Sequence, residues 1–194
     1  MSAVDTLLDS LRATLPGALD SAIQEELRNC VDEFCRHTDA YRQIVDIPLT
    51  IGETSYSLIP SGAVIVRVFS IAHPGLDTRG SRYDMVDRLV LLSNEPQDFH
   101  VAEPLTLEVS LTVDKTVAAV ADWLPAEVWE RFYHAFLEGT LGRMHGQAAK
   151  PYSAQQKAAY HLSRFRRKML EYRHDAAVGF APGGQTWSFP RFAR

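Results

Sequence analysis

Between Ile44 and Val120 the apolar residues stop recurring every three or four positions and begin to alternate, and that change of period limits the possible folds more than any other feature. The clearest stretch is 105–113, where Leu105, Leu107, Val109, Leu111 and Val113 share one side and Thr106, Glu108, Ser110 and Thr112 the other. Strand side chains point alternately to opposite faces, so this pattern predicts a strand in a sheet that is packed on one face and wet on the other. Shorter runs at 44–49, 55–58, 64–71, 88–92 and 117–120 predict companion strands. Gly52-Glu53, Pro60-Ser61-Gly62, Pro74-Gly75 and Asn94-Glu95-Pro96 supply the reversals between them. Residues 44–123 therefore read as an inserted antiparallel β-sandwich or barrel module.

Helical spacing flanks this module. Ser2 caps a first helix through about Thr14, with Val4, Leu7, Leu8 and Leu11 on one face and Pro16-Gly17 at its end. A second helix from about Asp20 buries Ile23, Leu27, Cys30, Val31 and Phe34 and turns Glu25, Glu26, Asp32 and Glu33 away. After the module, Pro125 opens a third helix at its first position, with Val128, Phe132, Ala135, Phe136 and Gly139 as its stripe. Glycine costs up to about 1 kcal/mol in a helix interior relative to alanine, so Gly139, Gly142 and Gly146 predict a close approach by another backbone. Ser153 and Gln156 have capping-box spacing for a last helix. Its inner face is Ala158, Leu162, Phe165, Met169 and Tyr172 or Arg173, its outer face Arg164, Arg167 and Lys168, and Gly179 closes it. The fold class that follows is α+β: a bundle of about four helices (1–43 and 124–179), the β-module (44–123) and an extended C-terminal docking tail (180–194).

Net charge is −4, but it is unevenly spread: residues 150–194 carry +7 and the preceding residues −11. A basic end of this kind suits an acidic partner surface or nucleic acid, although ordinary solvated faces explain such charges equally well. Tail residues Trp187, Phe189 and Phe192 follow Pro182-Gly183-Gly184 in a segment too short and proline-rich to bury them itself. They dock either on their own subunit or on a neighbour, and their composition, with Pro190, Arg191 and Arg194 beside them, favours anchors for a neighbouring protein.

The residues that would mark other functions are missing from the pattern. No Gly-rich phosphate loop, His-x-x-x-His pair, Cys-x-x-Cys or nucleophile elbow is present, the seven histidines are scattered, and Asp84 and Asp87 lie in a polar loop. Cys30 and Cys35 are spaced for neither a disulfide nor a metal pair and read as core fillers. No apolar run reaches the roughly 18 residues of a membrane span, and Met1–Asp5 lacks the layout of a signal peptide, so a soluble chain made in the cytoplasm is expected. The expectation is a structural protein without enzyme activity, cofactor, metal or membrane contact.

Four stretches carry a likeness: Gly52, Tyr56 and Leu58; Asp122-Trp123-Leu124-Pro125; Lys150-Pro151-Tyr152-Ser153; and Trp187-Ser188-Phe189-Pro190-Arg191-Phe192. With the order of helices, β-module, helices and aromatic tail, the chain resembles the head-to-tail adaptor (connector, or neck) proteins of tailed bacteriophages, of the short-tailed type. The resemblance implies a virion protein at the head–tail junction. It would form a homo-oligomeric ring of about twelve copies under the portal protein, connect to a tail or nozzle protein, and let DNA pass non-specifically through its lumen. It also implies that Trp187, Phe189, Pro190, Arg191, Phe192 and Arg194 dock on the portal, and that Arg164, Arg167 and Lys168 face the DNA channel or a neighbouring subunit. The rival reading is a sequence-independent DNA-binding or packaging accessory protein, since the same basic cluster would satisfy phosphate.

Overall fold

The structure, a computed structural model, describes residues 2–58, 60 and 62–178. Helix α1 (Ala3–Thr14) starts where the sequence places it, for a local reason. Ser2 Oγ accepts the Asp5 N–H at 3.1 Å while the Asp5 carboxylate accepts the Ser2 N–H at 3.0 Å, a reciprocal cap. Helix α2 (Asp20–Thr38) stops at Asp39, whose φ of 52° is left-handed. There follow β1 (Arg42–Ile47), β2 (Ser55–Ser57), β3 (Ala63–Ala72), β4 (Arg82–Asp84), β5 (Leu89–Leu91) and β6 (Leu105–Val113), and then α3 (Ala126–Gly146) and α4 (Gln155–Val178).

The α+β class and its four helices are as expected, but the β-module is not a closed barrel. Among the described residues it is two three-stranded antiparallel sheets, β1-β6-β3 and β2-β5-β4, sharing an apolar cluster that includes Ile47, Tyr56, Leu58, Val90 and Leu107. The expected strand at 117–120 is not one. Asp114 ends β6 by accepting the Thr116 N–H, and the Val117 carbonyl is taken by Trp123 Nε1–H at 3.0 Å and by Arg28 at 3.2 Å. With that carbonyl held by side chains, residues 120–122 coil into a 3-10 turn. Strand β4, only three residues long, has too little pattern to be legible in advance.

The expected wet face of β6 is wet for only half its length. Thr106 and Glu108 are partly exposed, whereas Ser110 and Thr112 are fully buried under α2, Thr112 Oγ1 donating to Asp32 Oδ1 at 2.9 Å. At the same end Val113 enters the helical core. Strand β6 therefore packs against the other sheet on one side and against the helices on the other.

Phe34 of α2 centres the helical core, its ring 5.0 Å from Phe132 and 5.3 Å from Phe136 of α3, with Phe165 of α4 at 6.2 Å. Of the three glycines expected to admit another backbone, Gly142 does so, Gly139 is approached by side chains instead, and Gly146 meets Ala158 Cβ at 3.8 Å, ordinary contact. A Cβ on Gly139 would overlap Cys30 Sγ and lie 2.9 Å from Phe165 Cδ2, and one on Gly142 would lie 2.9 Å from the Leu162 backbone nitrogen. Two details of the helix ends differ from expectation. Pro125 is the N-cap rather than the first helical residue, its carbonyl accepting from Val128 and Trp129. Ser153 does not cap α4; its hydroxyl donates to the Gln147 carbonyl and accepts the Lys150 N–H, closing the α3–α4 turn, while the Ala154 carbonyl receives the first helical hydrogen bond from Ala158.

Gly139→Ala gains about 1 kcal/mol of helix propensity but must displace two buried side chains, which typically costs 1–3 kcal/mol or more. Urea denaturation is expected to show a net loss of stability, partly recovered when Cys30→Ala is added to make room.

Candidate assembly surface

Helix α4 is set on α3 by a small polar network at the edge of the glycine contact. Glu138 of α3, mostly buried, accepts from His161 Nδ1 at 2.7 Å and pairs with Arg164 Nε at 3.1 Å. Arg164 also donates to the Tyr160 hydroxyl at 2.7 Å and lies 5.4 Å from that ring. The Tyr160 hydrogen bond, then the Glu138 charge, push the guanidinium pKa further upward. Arg164 is therefore a tie between helices with half of its side chain still in solvent.

The other two basic candidates stand further out. Arg167, 82% exposed, pairs with Glu171 at 2.9 Å, and Lys168 is half-buried beside it. Together with Tyr160, Arg164 and Glu171 they line a shallow concavity of about 500 Å³. Exposed Tyr160 and Leu170 put apolar surface on the same helix. Arg164, Arg167 and Lys168 are thus brought together, but two of the three already hold a carboxylate, and the surface mixes aromatic, aliphatic and charged groups. Sequence reasoning missed Glu138 and His161, because a polar contact between helices depends on how α3 and α4 are set against each other. The signal that helps is the pair Gly139 and Gly142, which marks the side of α3 on which α4 lies. The tail candidates Trp187, Phe189, Pro190, Arg191, Phe192 and Arg194 lie outside the described residues, as does Gly179.

His73, His100, Asp84 and the two cysteines serve the fold. His73 accepts the Gly75 and Leu76 N–H groups on Nδ1, at 3.1 and 3.0 Å, and its Nε2 meets the His100 carbonyl at 3.0 Å. His100 accepts the Gln97 N–H at 2.8 Å and its Nε2 reaches the Gly75 carbonyl at 3.1 Å, so the two rings clasp loops 73–76 and 97–103 together. Asp84 accepts the Val86 and Asp87 N–H groups in a turn, and does not pair with Asp87. Both cysteines are buried and unbridged; burial pushes the Cys35 thiol up to about 12 and Cys30 higher still. Among the described residues no group of three or more His, Cys, Asp or Glu is placed to hold a metal ion, and no helix is long and apolar enough to cross a membrane.

Three of the four stretches behind the likeness lie among the described residues, and each has a structural task. Gly52, at φ 73°, makes a turn that Tyr56 holds from inside, its hydroxyl accepting the Thr50 N–H at 3.1 Å and reaching the Glu53 carbonyl at 2.8 Å; Leu58 is buried beside it. Trp123 and Leu124 are buried where the chain returns to the helices. Tyr152 pins the α3–α4 turn, its hydroxyl donating to Gln147 at 2.9 Å and its carbonyl meeting His145 Nδ1 at 2.7 Å. The SU10 adaptor protein family matches residues 1–186, which takes in all of these positions. The chain belongs to that family. Among curated proteins none matches it. As an SU10 adaptor the protein is a structural component of a bacteriophage particle. The match stops one residue short of Trp187, so the reading of the aromatic anchors rests on their composition.

Removing the Glu138 carboxylate takes the partner from largely buried His161 Nδ1 and the interhelical tie from half-exposed Arg164. Glu138→Ala is expected to cost about 1.5–3 kcal/mol in urea unfolding, whereas Arg167→Ala, on an exposed pair, should change stability by no more than about 0.5 kcal/mol.

Proposed function

We propose that this adaptor assembles as a ring of about twelve copies beneath the phage portal, links the portal to a tail or nozzle protein, and surrounds the channel through which DNA passes. The observation that carries the reading is the family match across nearly the whole chain. The chain's division into a basic end and an acidic remainder supports it, because identical copies placed head to tail in a ring meet through unlike surfaces. Its task is then assembly rather than catalysis, and no cofactor takes part.

Two surfaces have assigned roles in this reading. The aromatic and basic residues Trp187, Phe189, Pro190, Arg191, Phe192 and Arg194 dock on the portal, as large rings flanked by arginine do at interface centres. The face of α4 with Arg164, Arg167 and Lys168 lies at a subunit boundary or toward the DNA. Exposed Tyr160 and Leu170 and the pairing of Arg164 and Arg167 with Glu138 and Glu171 favour the boundary. The rival, a sequence-independent DNA-binding or packaging accessory protein, keeps the same basic residues but makes phosphate their partner.

Deleting residues 183–194 should leave a folded chain, with unchanged circular dichroism, that no longer binds the portal of the same phage by mass measurement of the mixture. Unchanged portal binding would remove the tail from the account. A gel-retardation series with duplex DNA separates the rival: binding dominated by phosphate contacts weakens by orders of magnitude as salt rises from 50 to about 200 mM, whereas aromatic docking on the portal holds.

A further inference from the structure

The two sheets leave a gap on one side of the β-module. Among the described residues strand β3, at ten residues the longest, pairs with β6 alone, with register shifts between Ile65 and Arg67 and between Val68 and Ser70, and β4 pairs with β5 alone, so each presents a free edge. Between them runs a cleft of about 540 Å³ whose walls include Val66, Val68 and Phe69 from one side and Arg82, Tyr83 and Met85 from the other. A second concavity of about 160 Å³, also lined by Tyr83 and Met85, extends it past Val64 and Ile65 to Arg36 and Arg88. The cleft thus follows most of the length of β3.

Its chemistry is one-sided. Four arginines, Arg36, Arg67, Arg82 and Arg88, line the two stretches and no carboxylate does. Arg67 and Arg36 are matched by Asp39 and Asp32, but Arg82 and Arg88 make no ion pair among the described residues. Met85, in the wall of both stretches, is 59% exposed. The far wall is held in place. Thr78 Oγ1 donates to the Ile71 carbonyl at 2.8 Å, Asn94 holds the Asp77 carbonyl at 2.8 Å, and the His73–His100 clasp secures the start of the same loop.

Unpaired strand edges accept another strand through main-chain hydrogen bonds, with alternate side chains choosing the sequence. We propose that this cleft is a docking slot for an extended, acidic segment of another protein, which adds as a strand to β3, rests alternate aliphatic side chains on Val66, Val68 and Met85, and pairs its carboxylates with Arg82 and Arg88. About seven to nine extended residues fill the length. The chain's own last sixteen residues, and so those of a second copy, do not fit: they contain Arg191 and Arg194 and no acid. Nucleic acid offers the charge but neither the strand edge nor the aliphatic surface. The slot contains no residue of α4, so the adaptor would hold a further partner through its β-module.

The test uses the full chain and a fluorescein-labelled octapeptide of alternating Glu and Val, followed by fluorescence anisotropy. Saturable binding is expected, together with slowed hydrogen exchange at the β3 amides that face away from β6. Arg82→Glu with Arg88→Glu should weaken binding by about tenfold or more, with the fold checked by circular dichroism. Methylating alternate backbone nitrogens of the peptide should abolish binding, an arm that needs no protein variant. Absence of binding, indifference to methylation or to charge reversal, or capture of an oligothymidylate in place of the peptide would each overturn the proposal. None of these readouts involves the portal, so failure here leaves the portal reading untouched.

Discussion

The burial of β6 on both faces is the constraint on which the rest of the structure depends. Leu105, Leu107, Val109 and Leu111 seal the sheet core, Ser110 and Thr112 lie under α2, and Val113 belongs to the helical core. A helical body and a β-module joined only by loops would move against each other. Here the joint is a strand that neither core can lose without exposing its own apolar surface. The ion pair from Asp39, at the end of α2, to Arg67 in β3 braces the same junction. In the proposed reading, where one subunit holds different partners at different surfaces, a stiff joint would fix the separation and angle between them.

On the helical side the comparable device is the bare face of α3. Gly139 and Gly142 let Cys30, Phe165 and Leu162 approach the α3 backbone, and the polar ties gather at the rim of this contact. Glu138 binds His161 and Arg164 on one side, while Glu26 and Glu33 of α2 converge on Arg143 on the other. Some of the charge that looks like free surface in the sequence is therefore internal wiring. This weakens the case for α4 as a phosphate track and strengthens the case for a protein contact. The outward groups of α4 mix Tyr160 and Leu170 with exposed cations, among them Arg167 in its pair with Glu171, a mixture that suits the proposed protein contact.

What was legible in the sequence was what depends on neighbours along the chain. The Ser2 cap, the four helices and the alternation of β6 are local, and each was found within a few residues. The close approach of a backbone was found at Gly142, whereas Gly139 makes room for side chains and Gly146 is not crowded. What failed depended on the tertiary partner. The strand expected at 117–120 was lost to side chains 89 and 6 residues away that captured the Val117 carbonyl. Ser110 and Thr112 look like solvent-facing residues until α2 covers them. The cleft beside β3 was invisible because its far wall rests on three-residue β4 and a loop tied by two histidines, and none of these has a period to read.

The central physical claim is that the helical body and the β-module form one cooperative unit through β6. Native-state hydrogen exchange across increasing denaturant measures this directly, comparing amides of α2 at 27–34 with those of β6 at 107–111. The account predicts that the slowest amides of both segments open together, with the same free energy and the same dependence on denaturant. If the β6 amides exchange through a separate opening at lower free energy while α2 stays protected, the two parts are independent and the stiff joint does not exist.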